Sequence, residues 1–380
     1  MPRARSAFLV LVLALVPLRA TGEQAALVPL PPQPAGVPFP AADWSEGKLP
    51  PGAGNALAAA LERAFVEPEP ERLRGTRAVV VVQGGRIVGE RYAPGFDRDT
   101  RLLGWSMTKS LMGALVGVLV GDGRLHLDAP ADVPAWQSAG DPRREIQIDQ
   151  LLRMSSGLDW NESYGVSLRL PDVIQMLYGR GLGDMASFAA DRPLASPPGS
   201  VWRYSSGTSL LLSGIVRRVL ADDAAYRALP RRALFDPLGM TSALMELDEA
   251  GTFVGSSYSW ATARDWARFG LLYLRDGVWG EARILPQGWV DYTRTPAPAA
   301  PRGEYGAHFW LNAGAPATGV EAPLPRAPRD LFYAAGHDGQ FVFVVPSRDL
   351  VVVRLGLTPS DGRWSYEDFV VDVVAAMDTR

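Results

Sequence analysis

Cysteine is absent from the 380-residue chain, so disulfides and thiolate metal sites are excluded outright. Histidine is scarce. Only His126, His308 and His337 occur, without close ligand spacing, and neither a metal nor another cofactor is expected. Lysine is scarcer still: of 38 basic residues only Lys48 and Lys109 are lysine. Arginine stays protonated inside proteins, whereas a desolvated lysine gives up its proton, so each surviving lysine is a candidate for chemistry. Net charge is −3 and there are no basic runs, which leaves no electrostatic case for a nucleic-acid partner.

Apolar runs of membrane-spanning length are also missing. The apolar stretch Ala7–Leu18 follows Arg3 and Arg5 and is closed by the small residue Ala20. It is short for a span and reads as a cleavable export signal over residues 1–20. The expected location is therefore periplasmic or secreted, with no stable membrane span after cleavage. Oligomeric state is not legible.

What is present suits a folded enzyme-sized domain: 47% of residues are hydrophobic and 21% charged. Residues 21–53 are rich in proline and read as an extended leader without its own core. A short helix is expected over Asn55–Phe65. The β-rich runs Arg77–Gln83 and Arg86–Tyr92 flank Gly84-Gly85, the signature of a two-residue hairpin. A second pair, Gln340–Val345 and Leu350–Leu355, precedes a helix over Tyr366–Met377. The middle reads as helical, with candidates at Ser106–Val120, Asp149–Met154, Leu170–Leu177, Ser206–Leu220, Ala261–Leu274 and Pro286–Thr293. The expected architecture is α+β: one antiparallel sheet built from both ends of the chain and flanked by helices, plus a mostly helical lobe. Residues 54–380 then form one two-lobed domain. Its sheet lobe takes residues 54–105 and 330–380, and its helical lobe 106–329.

Chemistry concentrates at Gly104-Trp105-Ser106-Met107-Thr108-Lys109, which opens a helix apolar on nearly every side. Such a helix is buried. Residues three apart share a face, so Lys109 stands one turn from Ser106. Burial lowers an amine's pKa, and a neutral amine beside a hydroxyl is a general base beside a nucleophile. Two further segments have site character. Trp202-Arg203-Tyr204-Ser205-Ser206-Gly207 follows a Pro-Pro-Gly turn and opens a helix, where Tyr204 can shuttle a proton. Gly336-His337-Asp338-Gly339-Gln340 enters a strand. There the backbone N–H of Gln340, together with that of Ser106, can stabilise an oxyanion.

In that order, Ser106-Met-Thr-Lys109, Tyr204-Ser-Ser206 and His337-Asp-Gly339 resemble the three motifs of the penicillin-recognising serine hydrolases. That superfamily holds class C β-lactamases, D-alanyl-D-alanine carboxypeptidases, family VIII-type esterases and 6-aminohexanoate-dimer hydrolases. Leu151-Leu-Arg-Met-Ser-Ser-Gly-Leu158 is similar to a connecting segment of the same group, and the likeness runs over about residues 55–376. The resemblance implies a β-lactamase/transpeptidase-like fold, acylation of Ser106, deprotonation by Lys109 and protonation of the leaving group by Tyr204. It also implies that His337, Gly339, Gln340, Ser206 and, as a loop candidate, Tyr164 face a small-molecule or short peptide-like substrate.

Two departures shift weight from a β-lactamase towards an esterase or amidase: Ser206 stands where lactamases and carboxypeptidases usually carry asparagine, and His337 where lactamases usually carry lysine, a place some carboxypeptidases also give to histidine. The alternatives are D-Ala-D-Ala carboxypeptidase or β-lactamase activity and, in another class, a catalytically silent binding or sensor module. A Ser-His-Asp hydrolase has little support, since no Gly-x-Ser-x-Gly elbow occurs.

Overall fold

The structure, a computed structural model, describes residues 26–66, 75–163, 170–315, 319–358 and 364–378. The proposed signal and Tyr164 lie outside the described residues. Among the described residues no helix is long and apolar enough to cross a membrane.

The central sheet has six antiparallel strands in the order Arg86–Tyr92, Gly75–Gln83, Leu350–Leu357, Gln340–Val345, Phe332–Gly336, Trp310–Leu311. Its first two strands come from the N-terminal half and the next three from the C-terminal end, as the sequence pattern predicts, whereas Trp310–Leu311 comes from the stretch expected to be helical. Gly84 and Gly85 take φ of 57° and 72°, the left-handed pair that a tight two-residue hairpin demands.

The valine-rich strands are buried on both faces, which is why they read as continuous apolar runs. Val79, Val81, Phe343 and Val352 point to one side, against helices Pro51–Ala64 and Tyr366–Asp378. Val80, Val82, Val342 and Val351 point to the other, into the larger core shared with helix Ala263–Leu274 and the helical middle. Gly270 lets that helix lie close to the sheet. A Cβ there would sit 2.6 Å from Val351 Cγ1 and 2.8 Å from Val342 Cγ1.

Most helix positions follow the sequence reading. Ser206–Leu220 is observed as expected, and the helix after Ser106 runs Thr108–Gly121 behind a single 3-10 turn, Trp105–Met107. Ala261 belongs to the short strand Ser259–Ala261 and not to the helix that follows. Thr262 caps that helix by accepting from the Asp265 N–H at 3.2 Å. Helices Met185–Ala190 and Asp223–Pro230 and the edge strand Trp310–Leu311 were not foreseen.

The proline-rich stretch is extended and bound along the body. Buried Arg294, Arg275 and Arg268 donate to Val28 O, Gln33 Oε1 and Pro40 O, each at 2.7 Å. Each of these guanidiniums also pairs with a carboxylate: Asp291, Asp349 and Asp265 respectively. Charges so paired and hydrogen-bonded can be buried without a large penalty.

Two helix glycines should respond to substitution with opposite signs. Gly270→Val overpacks the helix–sheet contact and should destabilise by about 1–3 kcal/mol or more. Gly54→Ala, at a position with nothing within 4 Å of the new Cβ, should stabilise by up to about 1 kcal/mol. Chemical denaturation of both variants checks the pair.

Candidate active site

The turn that presents Ser106 is fixed from three sides. Trp105 takes φ of +48°, a left-handed conformation that costs a bulky residue on the order of 1–3 kcal/mol. Gly104 N donates to Ser259 O at 2.7 Å, and the Thr108 hydroxyl donates to Trp105 O at 2.6 Å. Gly336, at the end of its strand, runs so close that a Cβ would sit 2.2 Å from Gly104 O. Strand Phe332–Gly336 and the turn carrying Ser106 are therefore packed backbone to backbone.

Ser106 is half-buried and Lys109 is 1% exposed. Lys109 Nζ lies 2.9 Å from Ser106 Oγ, 2.9 Å from Ser206 Oγ and 3.0 Å from Ser256 O. Burial pulls the amine's pKa down from 10.5 to about 8, against an opposing pull from the Glu162 carboxylate. The uncharged form is therefore far more accessible near neutral pH than it is for a solvated lysine. Nζ also stands 4.8 Å from the centroid of the Tyr204 ring, so the tyrosine meets the amine with its face. Tyr204 is held between Trp310, at 5.3 Å, and Tyr305, at 5.9 Å. Ser205 caps the helix that begins at Ser206, its hydroxyl accepting from Thr208 N at 3.2 Å.

The third segment forms the turn between strands Phe332–Gly336 and Gln340–Val345. His337 is exposed at its tip, 3.4 Å from the Asp338 carboxylate and edge-on to Trp105 at 5.6 Å between ring centroids. The Gln340 side chain is turned into the fold: it donates to His337 O and Gly356 O and accepts from Gly356 N. Buried Arg354 holds the same turn by donating to Gly339 O at 2.8 Å and Asp338 O at 3.3 Å.

Between these elements lies a cavity of about 210 Å³. Ser106, Ser206, Ser257, His337 and Asp338 form its polar side, and Trp105 with Val173, Ile174, Leu177 and Tyr178 its apolar wall. Of the residues singled out in the sequence, the structure brings Ser106, Lys109, Tyr204, Ser206, His337, Gly339 and Gln340 into one neighbourhood. No cluster of three potential metal ligands occurs among the described residues.

Two site residues escaped the sequence reading. Glu162 accepts from Ser206 Oγ at 2.7 Å, Ser206 N at 2.6 Å and Trp160 Nε1 at 2.7 Å. His308, fully buried against helix Thr108–Gly121, has Nδ1 2.7 Å from Lys109 O and Nε2 3.2 Å from Ser209 Oγ. A carbonyl can only accept, so Nδ1 carries the proton. Burial and the nearby Lys109 charge lower its pKa to about 3, which keeps the ring neutral.

The model of the β-lactamase family matches residues 33–363. Over 301 residues the chain is 28% identical to the 6-aminohexanoate-dimer hydrolase of Paenarthrobacter ureafaciens, covering 75% of this chain and 73% of that protein. Among solved structures, a Bacillus anthracis protein provisionally named 6-aminohexanoate-dimer hydrolase superposes with a TM-score of 0.65 at 22% identity, covering 90% of this chain and 87% of the other. A penicillin-binding protein homologue from Caulobacter crescentus gives 0.63 at 17% identity, covering 87% and 99%. These two likenesses concern the fold alone. The family match spans most of the sequence, and the chain belongs to the β-lactamase family, as a hydrolase of the β-lactamase-like serine hydrolase superfamily.

Proposed function

We propose that the protein cleaves an ester or amide through an acyl-enzyme on Ser106, with Lys109 as base and Tyr204 as proton shuttle. The observation that carries this reading is the 2.9 Å contact between the buried Lys109 amine and Ser106 Oγ. In the first half-reaction Ser106 gives its proton to the neutral amine and its oxygen attacks the carbonyl carbon. The backbone N–H groups of Ser106 and Gln340 receive the developing oxyanion. The tetrahedral intermediate collapses, and the leaving group takes its proton by way of Tyr204. In the second half-reaction Tyr204 or Lys109 deprotonates a water that releases the acyl group and restores Ser106.

The substrate belongs to the esterase and amidase class and not to the β-lactams. Ser206 offers no side-chain amide to a peptide-like substrate, and the rim carries His337 with two carboxylates, Glu162 and Asp338, where a β-lactam carboxylate would need a fixed cation. The name of the P. ureafaciens relative makes a linear ω-amino-acid dimer a sensible test compound. The N-terminal stretch supports export to the periplasm or medium.

Replacing Ser106 with alanine should abolish turnover of p-nitrophenyl esters and the adduct mass left by a fluorophosphonate. Lys109→Arg keeps the charge and removes the base, so acylation should fall by about 10²–10⁴-fold with folding retained. Full activity in either variant would remove that residue from the mechanism.

The base works only when uncharged, so kcat/KM for a neutral ester should rise with pH along a limb centred near 8, the amine's pKa. A profile flat between pH 6 and pH 9, measured with one substrate at constant ionic strength, would contradict this.

A further inference from the structure

Glu162 is tied to the catalytic amine through a single hydroxyl. Its Oε1 accepts the Ser206 O–H at 2.7 Å, and Ser206 Oγ in turn lies 2.9 Å from Lys109 Nζ. A hydroxyl has one proton, and here a carboxylate takes it. Towards Lys109, Ser206 can therefore only accept. Ser256 presents a backbone carbonyl to the same amine at 3.0 Å, and a carbonyl also only accepts.

A neutral amine has two N–H bonds and one lone pair. With Ser206 and Ser256 both restricted to accepting, they take the two N–H bonds. The lone pair is left facing the third neighbour, Ser106 Oγ at 2.9 Å. We infer that Glu162 is a positioning residue that fixes the direction of the Ser206 hydroxyl and thereby aims the Lys109 lone pair at the nucleophile. Without it Ser206 is free to donate to that lone pair and occupy the base. The inference rests on the Ser106–Lys109 reading and adds to it the means by which a flexible amine is held in its working orientation.

Glu162 is itself anchored for this task. Its other oxygen accepts from Ser206 N at 2.6 Å and from the Trp160 indole at 2.7 Å, which holds the carboxylate against the start of the helix. The remaining groups around the amine are the Tyr204 ring face and, behind it, the neutral His308 ring on the Lys109 carbonyl. Among these described neighbours Glu162 is the carboxylate whose charge acts on Lys109. Removing it should thus also ease deprotonation of the amine and move the acid limb of the rate profile to lower pH.

Fluorophosphonate labelling tests this without knowledge of the natural substrate. The Ser106 oxygen bonds to phosphorus, the P–F bond breaks, fluoride leaves and the serine proton passes to Lys109. The rate constant is measured against pH for wild type, Glu162→Leu and Glu162→Gln, with melting temperatures confirming that each folds. The Gln variant keeps the size but has one side-chain oxygen for three donors. We expect the plateau rate above the limb to drop by about 10- to 100-fold and the limb to move to lower pH. A plateau within about twofold of wild type overturns the aiming role. A lower plateau with an unmoved limb overturns it too, because a merely structural loss would give that result. Lys109→Arg runs alongside. If it labels at the wild-type rate, the base assignment fails. If it is dead while the Glu162 variants behave like wild type, only the present inference fails.

Discussion

The site depends on keeping an amine out of water while giving it enough acceptors to stay in place. Lys109 is enclosed by an apolar helix, the Tyr204 ring and the start of helix Ser206–Leu220, and burial disfavours its charged form. Burial alone would leave a neutral amine unpositioned. Three oxygens, from Ser106, Ser206 and Ser256, give it a fixed geometry. Ser106 is one helical turn away, but Ser206 and Ser256 lie 97 and 147 residues along the chain from the lysine. The arrangement therefore exists only once the helical middle has packed, and the chemistry is a property of the tertiary fold.

The rest of the molecule can be understood as support for that geometry. The six-stranded sheet carries the His337–Gly339 turn to the mouth of the cavity, and buried Arg354 holds the turn's carbonyls. The close approach of Gly336 to Gly104 ties strand Phe332–Gly336 to the strained turn at Trp105. His308 holds the Lys109 carbonyl from behind while remaining neutral, so the back of the site gains a hydrogen bond without a second positive charge. The proline-rich strap is held to the body by three buried arginines: Arg268 within helix Ala263–Leu274, Arg275 at its end and Arg294 at the end of helix Trp289–Thr293.

What the sequence revealed was whatever has a local signature. Ser106 and Lys109 are one helical turn apart, Gly84-Gly85 announces a hairpin, and the double-sided burial of Val79–Val82 is written as an unbroken apolar run. Glu162 and His308 carry no such mark. Glu162 meets Ser206 across 44 residues and His308 meets Lys109 across 199, and neither spacing has a periodicity to detect. The strand Trp310–Leu311 is two residues long, too short for alternation to register. At Ala261 helix propensity pointed the wrong way because the boundary is set one residue later, by the Thr262 cap.

The central claim concerns the protonation state of one side chain, and the composition makes it directly observable. The chain has two lysines, and Lys48→Arg leaves Lys109 alone. Labelling lysine with 13C at Cε and following its resonance against pH would then report a single amine. The account predicts a midpoint near 8. A midpoint at the ordinary lysine value of 10.5 would mean that the amine is charged at working pH and cannot be the base.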